Sequence, residues 1–331
     1  MHFVRKHSDA FIIAGYTVGV FVLGALFAPV LYGWGKWLLD VCQNHGWDRR
    51  PSLAWFMVPL GKTQFRGYFD RAALVVALAG LWPLFKALHM RRAEVLGQSN
   101  FANGWRQLLT GFALAVALLF IMGAVFLQTG VCGLNAKADW LGLAAPLASA
   151  VTVACLEEFL FRGAVLGVLR RSLGTRGAIL WTTLLFSTVH FLKPPLDGAI
   201  VDVRWWSGFQ IIPQLFSGFT KWDHLLAEFL LLAAVGWMLA CVRVSTNALW
   251  GSIGLHAGWV FGMKYFSKLT LPKHALHDGL FAPWIAENTC KAIVGSYVGL
   301  VPVAVILLTG ALMLRLCKFS AQEKEIATNS E

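Results

Sequence analysis

The sequence predicts an all-α membrane protein with about eight transmembrane helices. Three observations carry that expectation. The 331 residues are 57% hydrophobic and only 14% charged, where a soluble domain carries about a quarter charged residues. Mean hydropathy is +0.63, and eight apolar runs are long enough to be read as spans. The 15 Trp and 24 Phe fit a bilayer protein with aromatic side chains near its interfaces.

Crossing the hydrocarbon as helix takes about 20 apolar residues. The runs lie at 11–39, 72–90, 107–131, 141–169, 177–193, 224–243, 246–265 and 292–317. The first follows Arg5-Lys6 and is too long for a signal-peptide core. No small-residue cleavage site follows it, so it reads as an uncleaved span, long enough to tilt or project. The second and fifth are short, and the second contains Pro83. The stretch 203–222 mixes aromatics with polar residues, as an interfacial segment that gates or rims a membrane cavity would. The tail after Cys317 is polar. Three parts follow in chain order: helices one to three with their loops over 1–140, helices four to seven over 141–265, and the last loop, helix eight and tail over 266–331.

A formal charge of +11 raises the question of nucleic acid. The basic residues are scattered through loops between apolar runs, which fits anionic lipid and topology signals and not a nucleic-acid groove. The partner this points to is the lipid bilayer, with no nucleic acid. An even number of spans places both termini on one side. Arg91-Arg92 and Arg170-Arg171 fall in short loops on that side and favour a cytoplasmic N-terminus in the cell (inner or plasma) membrane. The six cysteines show no C-x-x-C and no metal-ligand spacing. Cys155 and Cys241 read as small core residues, whereas Cys42, Cys132 and Cys290 are placed to share one side of the membrane, with nothing to fix a disulfide.

Few ionisable residues lie deep in the runs: Glu157, Glu158 and Arg162 in the fourth, His190 late in the fifth, His256 in the seventh. Charge in hydrocarbon costs at least a few kcal/mol and marks a functional site by default. Glu157 precedes Arg170 by thirteen residues, His190 follows Arg176 by fourteen, and His256 follows Arg243 by thirteen. With those arginines on one membrane face, all three groups lie about 20 Å from it, at one level. Glu158 and Arg162 are spaced i,i+4 and can pair, whereas Glu157 is turned about 100° away and is left free for chemistry. Phe186 is spaced i,i+4 with His190 and shelters the imidazole. Ser252 and Trp259 lie on the His256 face. A buried charge network that only locks helix packing is the structural alternative.

Glu157-Glu158-Phe-Leu-Phe-Arg162, Phe186-Ser-Thr-Val-His190 and His256-Ala-Gly-Trp-Val260 occur in that order on separate runs. Together they resemble the CPBP family of intramembrane proteases (CAAX proteases and bacteriocin-processing enzymes), which includes the type II CAAX prenyl endopeptidases. That family's pattern is E-E-x-x-x-R, F-x-x-x-H, and a histidine followed four residues on by Asn or Asp. The resemblance covers about residues 150–262. It implies helices enclosing an intramembrane catalytic cavity and a glutamate-dependent endopeptidase, whose partner and substrate is a membrane protein or peptide, membrane-proximal or lipid-anchored. Glu157 and His190 would activate water, His256 would stabilise the oxyanion, and Glu158, Arg162 and Phe186 would support them.

Val260 departs from the pattern, because valine cannot donate to an oxyanion. Three readings follow: Ser252, Trp259 or a backbone N–H replaces the missing donor, the enzyme is slower or handles a different substrate, or the chain is a non-catalytic relative that binds peptide, as an immunity or scaffold protein would. No cofactor is implied. Zinc held by Glu157, His190 and His256 is the rival mechanism, although no H-E-x-x-H motif is present. A proton-coupled transporter is disfavoured because no internal repeat is visible.

Overall fold

Without water to satisfy backbone groups, apolar runs of this length must close their hydrogen bonds internally, and they fold as helices. The computed structural model describes residues 2–47, 57, 60–91, 94–95, 97, 101–128, 132–138, 140–192, 200, 202–220, 222–272 and 303–316. Among the described residues four helices are long and apolar enough to cross a membrane: Phe11–Asn44, Phe65–Ala87, Gly104–Gln128 and Phe229–Thr246. They answer to the first, second, third and sixth expected spans, and the chain is a multi-pass integral membrane protein. The other four runs fall short of that standard. The fourth changes helix type midway, the fifth follows a break at Gly174 and is helical only to Val189, the seventh is glycine-rich and carries His256 and Lys264, and the eighth shows only Val303–Leu316 among the described residues.

The chain divides into two compact units that do not follow sequence order: residues 1–89 with 191–221, and residues 90–190 with 222–331. The first unit is built on α1 (His2–Asn44) and α2 (Phe65–Ala87), with α6 (Ser207–Gln214) returning to it. Helix α2 starts at Phe65 and carries Pro83 inside it, so it begins earlier than apolarity alone indicated. Ala25 and Ala28 of α1 pack on Phe65, Phe69 and Ala72 of α2, with Ile211 of α6 and Leu215 beyond it. Small residues let the helix backbones approach closely, which is how helices bind each other where lipid removes the hydrophobic drive. Helix α6 buries Ser207, Gly208 and Ile211 while Trp205 and Phe216 on either side stay exposed, in keeping with an interfacial segment.

The second unit holds α3 (Phe101–Gln128), α4 (Ala144–Glu158), α5 (Leu166–Val189), α7 (Trp222–Thr246), α8 (Trp250–Leu269) and α9 (Val303–Leu316). Helix α8 is buried along most of its length. Gly254, Gly258 and Gly262 recur every fourth residue and face α3, and a side chain at Gly254 or Gly258 would collide with the backbone of Leu108 or Phe112. This is the small-residue packing pattern of membrane helices. Helix α4 continues without a break into a π-helical segment, Phe159–Val165, where the Leu166 N–H donates to the Phe161 carbonyl. Helix α5 is broken at Gly174, whose φ of 67° and ψ of 179° leave the helical region. The break falls between Arg171 and Arg176, where a loop between the fourth and fifth runs was expected.

Among the described residues an isolated bridge between Gly97 and Ala248 and one short sheet depart from a purely helical fold. β1 (Cys132–Leu134) and β2 (Thr270–Pro272) pair antiparallel, with Cys132 opposite Pro272 and Leu134 opposite Thr270. Cys132 is disulfide-bonded, and since Cys42, Cys155 and Cys241 are free, its partner lies outside the described residues.

Candidate active site

Glu157 and Glu158 close α4, and the π-helical turn that follows carries Arg162. A π-turn inside a helix is rare and frequently falls at a functional site. Arg162 is 1% exposed and Glu158 0%. Arg162 Nη1 donates to Glu158 Oε1 at 2.9 Å, and Arg162 Nη2 donates to the Gly236 carbonyl of α7 at 3.2 Å. The guanidinium also lies over the Phe186 ring, 4.4 Å from its centroid. A charge this deep is tolerated only when paired and hydrogen-bonded, and here it ties α4 to α5 and α7.

Glu158 has a second partner that helical spacing did not reveal. His256 of α8 places Nδ1 2.9 Å from the same Oε1. The carboxylate already accepts from Arg162, so Nδ1 carries the proton and donates. The His256 Nε2 is thereby aimed at Glu157, 3.7 Å from Oε2. His190, the cap of α5, is fixed in the same manner. Its Nδ1 donates to the Phe186 carbonyl at 2.7 Å, a contact only a protonated Nδ1 can make, and its Nε2 stands 3.5 Å from Glu157 Oε2.

The structure therefore brings Glu157, His190 and His256 together from three helices. Two imidazoles present their Nε2 atoms to one carboxylate oxygen at distances longer than a direct hydrogen bond. Glu157 and His190 keep 19% and 20% side-chain exposure, against 0% for Glu158 and 6% for His256. Glu157 is the reachable carboxylate of the pair. Phe186 is buried between the supports: its ring centroid is 4.3 Å from that of His190 and edge-on to Phe161 and His256. Among the described residues, no group of three or more His, Cys, Asp or Glu side chains is set to hold a metal ion.

The oxyanion side is different in character. Val260 is half-buried and packs on the cluster of Ala150, Phe261, Tyr265 and Leu269. Ser252 is fully buried, donates to the Leu249 carbonyl at 3.0 Å and lies beside Glu158. Trp259 is 3% exposed, and its Nε1 has no hydrogen-bond partner among the described residues. Sequence reasoning also missed two further polar contacts in this unit. Lys264 of α8 donates to Ser149 of α4, and the Tyr265 hydroxyl donates to the Trp140 carbonyl at 2.6 Å. No motif flags any of these four residues. Only the i,i+8 spacings of Ser149 from Glu157 and of Lys264 from His256 hinted that they share a level.

No curated protein and no solved structure matches the chain significantly. A family model does. It spans residues 139–262, which include α4, the π-helical turn, α5 and the His256 segment of α8, and so hold every residue of the cluster. Its description is type II CAAX prenyl endopeptidase, Rce1-like. Residues 139–262 are thus similar to the Rce1-like type II CAAX prenyl endopeptidase family, and the matched stretch contains the whole Glu157, His190 and His256 cluster.

Proposed function

We propose that the protein is an intramembrane endopeptidase of the cell membrane that hydrolyses a peptide bond in a membrane-proximal or lipid-anchored substrate by glutamate-activated water. The observation that carries this reading is the convergence of His190 and His256 Nε2 on one oxygen of Glu157, at 3.5 and 3.7 Å, within a matched protease domain. A water at Glu157 donates one proton to Oε2 and directs the other at the neutral His190 Nε2, whose tautomer the Phe186 carbonyl fixes. As the water oxygen bonds to the scissile carbonyl carbon, Glu157 takes the proton as general base. It then returns that proton to the amide nitrogen as the oxyanion re-forms the carbonyl and the C–N bond breaks, leaving an amine and a carboxylic acid whose remaining water proton passes to His190 Nε2.

The carbonyl oxygen becomes an oxyanion that needs donors. His256 Nε2 donates only when its ring carries a second proton, because Nδ1–H is committed to Glu158. Trp259 Nε1, buried without a partner among the described residues, supplies the second donor that Val260 does not. The packing of Val260 in an apolar cluster is what favours the second reading, a peptide-binding relative without activity.

The test is Glu157→Gln and His190→Ala in protein reconstituted into vesicles and assayed on a peptide library. Both variants lose cleavage under this reading, and wild type is indifferent to chelators. Variants that fold and still cleave at the wild-type rate rule it out. Wild-type activity abolished by chelators and restored by zinc moves the assignment to the metal-dependent alternative. An inactive wild type that retains peptide binding, lost on Glu157→Gln, moves it to the binding protein.

A further inference from the structure

Outside the site, the same unit contains a second cluster of charge. The first part of α5 supplies Arg170 and Arg171 just before the break at Gly174, and the last turn of α7 supplies Arg243. With Glu94, Gly167, Thr175 and Asn247 they line a cavity of about 500 Å³. Arg243 is 3% exposed. Its Nη2 donates to the carbonyls of Glu94 at 2.9 Å and Val95 at 3.4 Å, and its Nη1 reaches Asn247 Oδ1 at 3.5 Å. Its Nε is buried and has no hydrogen-bond partner among the described residues. Asn247 is held at φ 47°, a left-handed conformation that asparagine tolerates.

The charges in this cavity do not balance. Among the described residues Glu94 is the one carboxylate lining it, and it is paired with Arg171 at 2.8 Å. Burial pushes the Glu94 carboxyl up, but the Arg91 amide and the Arg171 guanidinium outweigh it and hold it below the ordinary glutamate value. Arg170 and Arg243 are near enough to repel each other, and the carboxylate that attracts Arg243, Glu158, lies outside the cavity and is already engaged by Arg162 and His256. Gly174 leaves the space open, because a Cβ there would meet nothing within 4 Å. A partly buried, repelling pair of guanidiniums with a free N–H is stabilised by an anion with several acceptor oxygens, which arginine grips better than any other side chain.

Position selects the anion. The apolar stretch of α7 ends at Thr246, three residues after Arg243, so the cavity lies where hydrocarbon gives way to headgroups. Helix α8 leads away from it for 20 residues, about 30 Å, to β2. The partner strand of β2 carries disulfide-bonded Cys132, and disulfides persist on the oxidising side of a membrane. The arginine cavity thus faces the cytoplasmic side, where anionic lipids attract basic groups. We infer that this cavity is a phosphoryl-binding site that seats the headgroup of an anionic phospholipid.

The experiment titrates the purified full-length protein in neutral detergent with phosphatidylglycerol, phosphatidylcholine and inorganic phosphate, read by native mass spectrometry. Phosphatidylglycerol is expected to bind wild type in preference to phosphatidylcholine. Arg170→Ala, an exposed position, is expected to weaken phosphatidylglycerol about fivefold, with Arg170→Lys recovering part of that loss through its charge. Inorganic phosphate displacing the lipid at comparable concentration confirms the anion site but overturns the headgroup assignment. Equal binding of the two lipids by wild type, or no loss in Arg170→Ala, overturns the site itself. The readout is binding, so it stands whether or not the protein cleaves peptides.

Discussion

Glu157 and Glu158 are adjacent in the chain and sit in opposite halves of the site. Glu158 is fully buried, accepts from Arg162 and His256 at 2.9 Å each, and belongs to a network tied on to α7 through Gly236. Glu157 is partly open, and its Oε2 has two imidazole nitrogens near it but no hydrogen bond to a side chain. One residue of helical rotation separates a carboxylate fixed as an acceptor from one left able to exchange a proton. A membrane protein that must hold a reactive carboxylate in hydrocarbon can meet the cost of charge with the first and keep the second uncommitted.

The largest expected effect tests the closed half. Glu158→Leu and Arg162→Leu each leave an unpaired buried charge and should lower stability by about 3–5 kcal/mol. The double variant should recover much of that loss, as an unfolding double-mutant cycle would register, while remaining inactive because His256 has lost its acceptor. If the two losses simply add, the pair is not the coupled unit described.

The next effect tests the oxyanion side. Trp259→Phe keeps the ring and removes the N–H, and should lower kcat about a hundredfold with KM little changed. Unchanged kcat would remove Trp259 from the mechanism. Val260→Asn should raise kcat/KM about tenfold, less than a full donor is worth, because the amide must displace apolar packing at some cost in stability. A lower rate in Val260→Asn would mean that the apolar cluster, and not a missing donor, is what this position supplies.

The smallest effect lies far from the chemistry. Glu94 is held below its ordinary value in the folded protein, so its contribution is present above the unfolded glutamate range and fades as pH falls through the folded value. The group is 41% exposed and solvent-screened, so the contribution is under about 1 kcal/mol. Thermal unfolding of Glu94→Gln should therefore fall slightly below wild type at pH 7 and coincide with it at pH 3. A difference that persists at pH 3 would point to packing in place of charge.

That Glu157, His190 and His256 share one level was legible because helical rise is fixed and each lies thirteen or fourteen residues from an arginine. The pairing of Glu158 with Arg162 was legible because i,i+4 neighbours share a helix face. The hold of Glu158 on His256 was not, since no local pattern says which distant helix supplies a partner. Gly236 offers only a backbone carbonyl to Arg162, and a carbonyl leaves no trace in residue identity. The π-helical turn was equally hidden, because its residues have the apolarity of any span. Gly254, Gly258 and Gly262 were visible as a spacing but say only that something packs closely, not that α3 does. Apolarity alone brings out four of the eight expected spans among the described residues, because helices buried among other helices, such as α8, need not be uniformly apolar.

The central claim is that the two glutamates divide chemistry from support. It is tested most directly by Glu157→Gln and Glu158→Gln prepared side by side, with single-turnover peptide cleavage and unfolding measured on each. Glu157→Gln should lose cleavage by about a hundredfold or more while unfolding like wild type, and Glu158→Gln should lose both activity and stability. A Glu157→Gln protein that cleaves normally, or that is destabilised as much as Glu158→Gln, would contradict it.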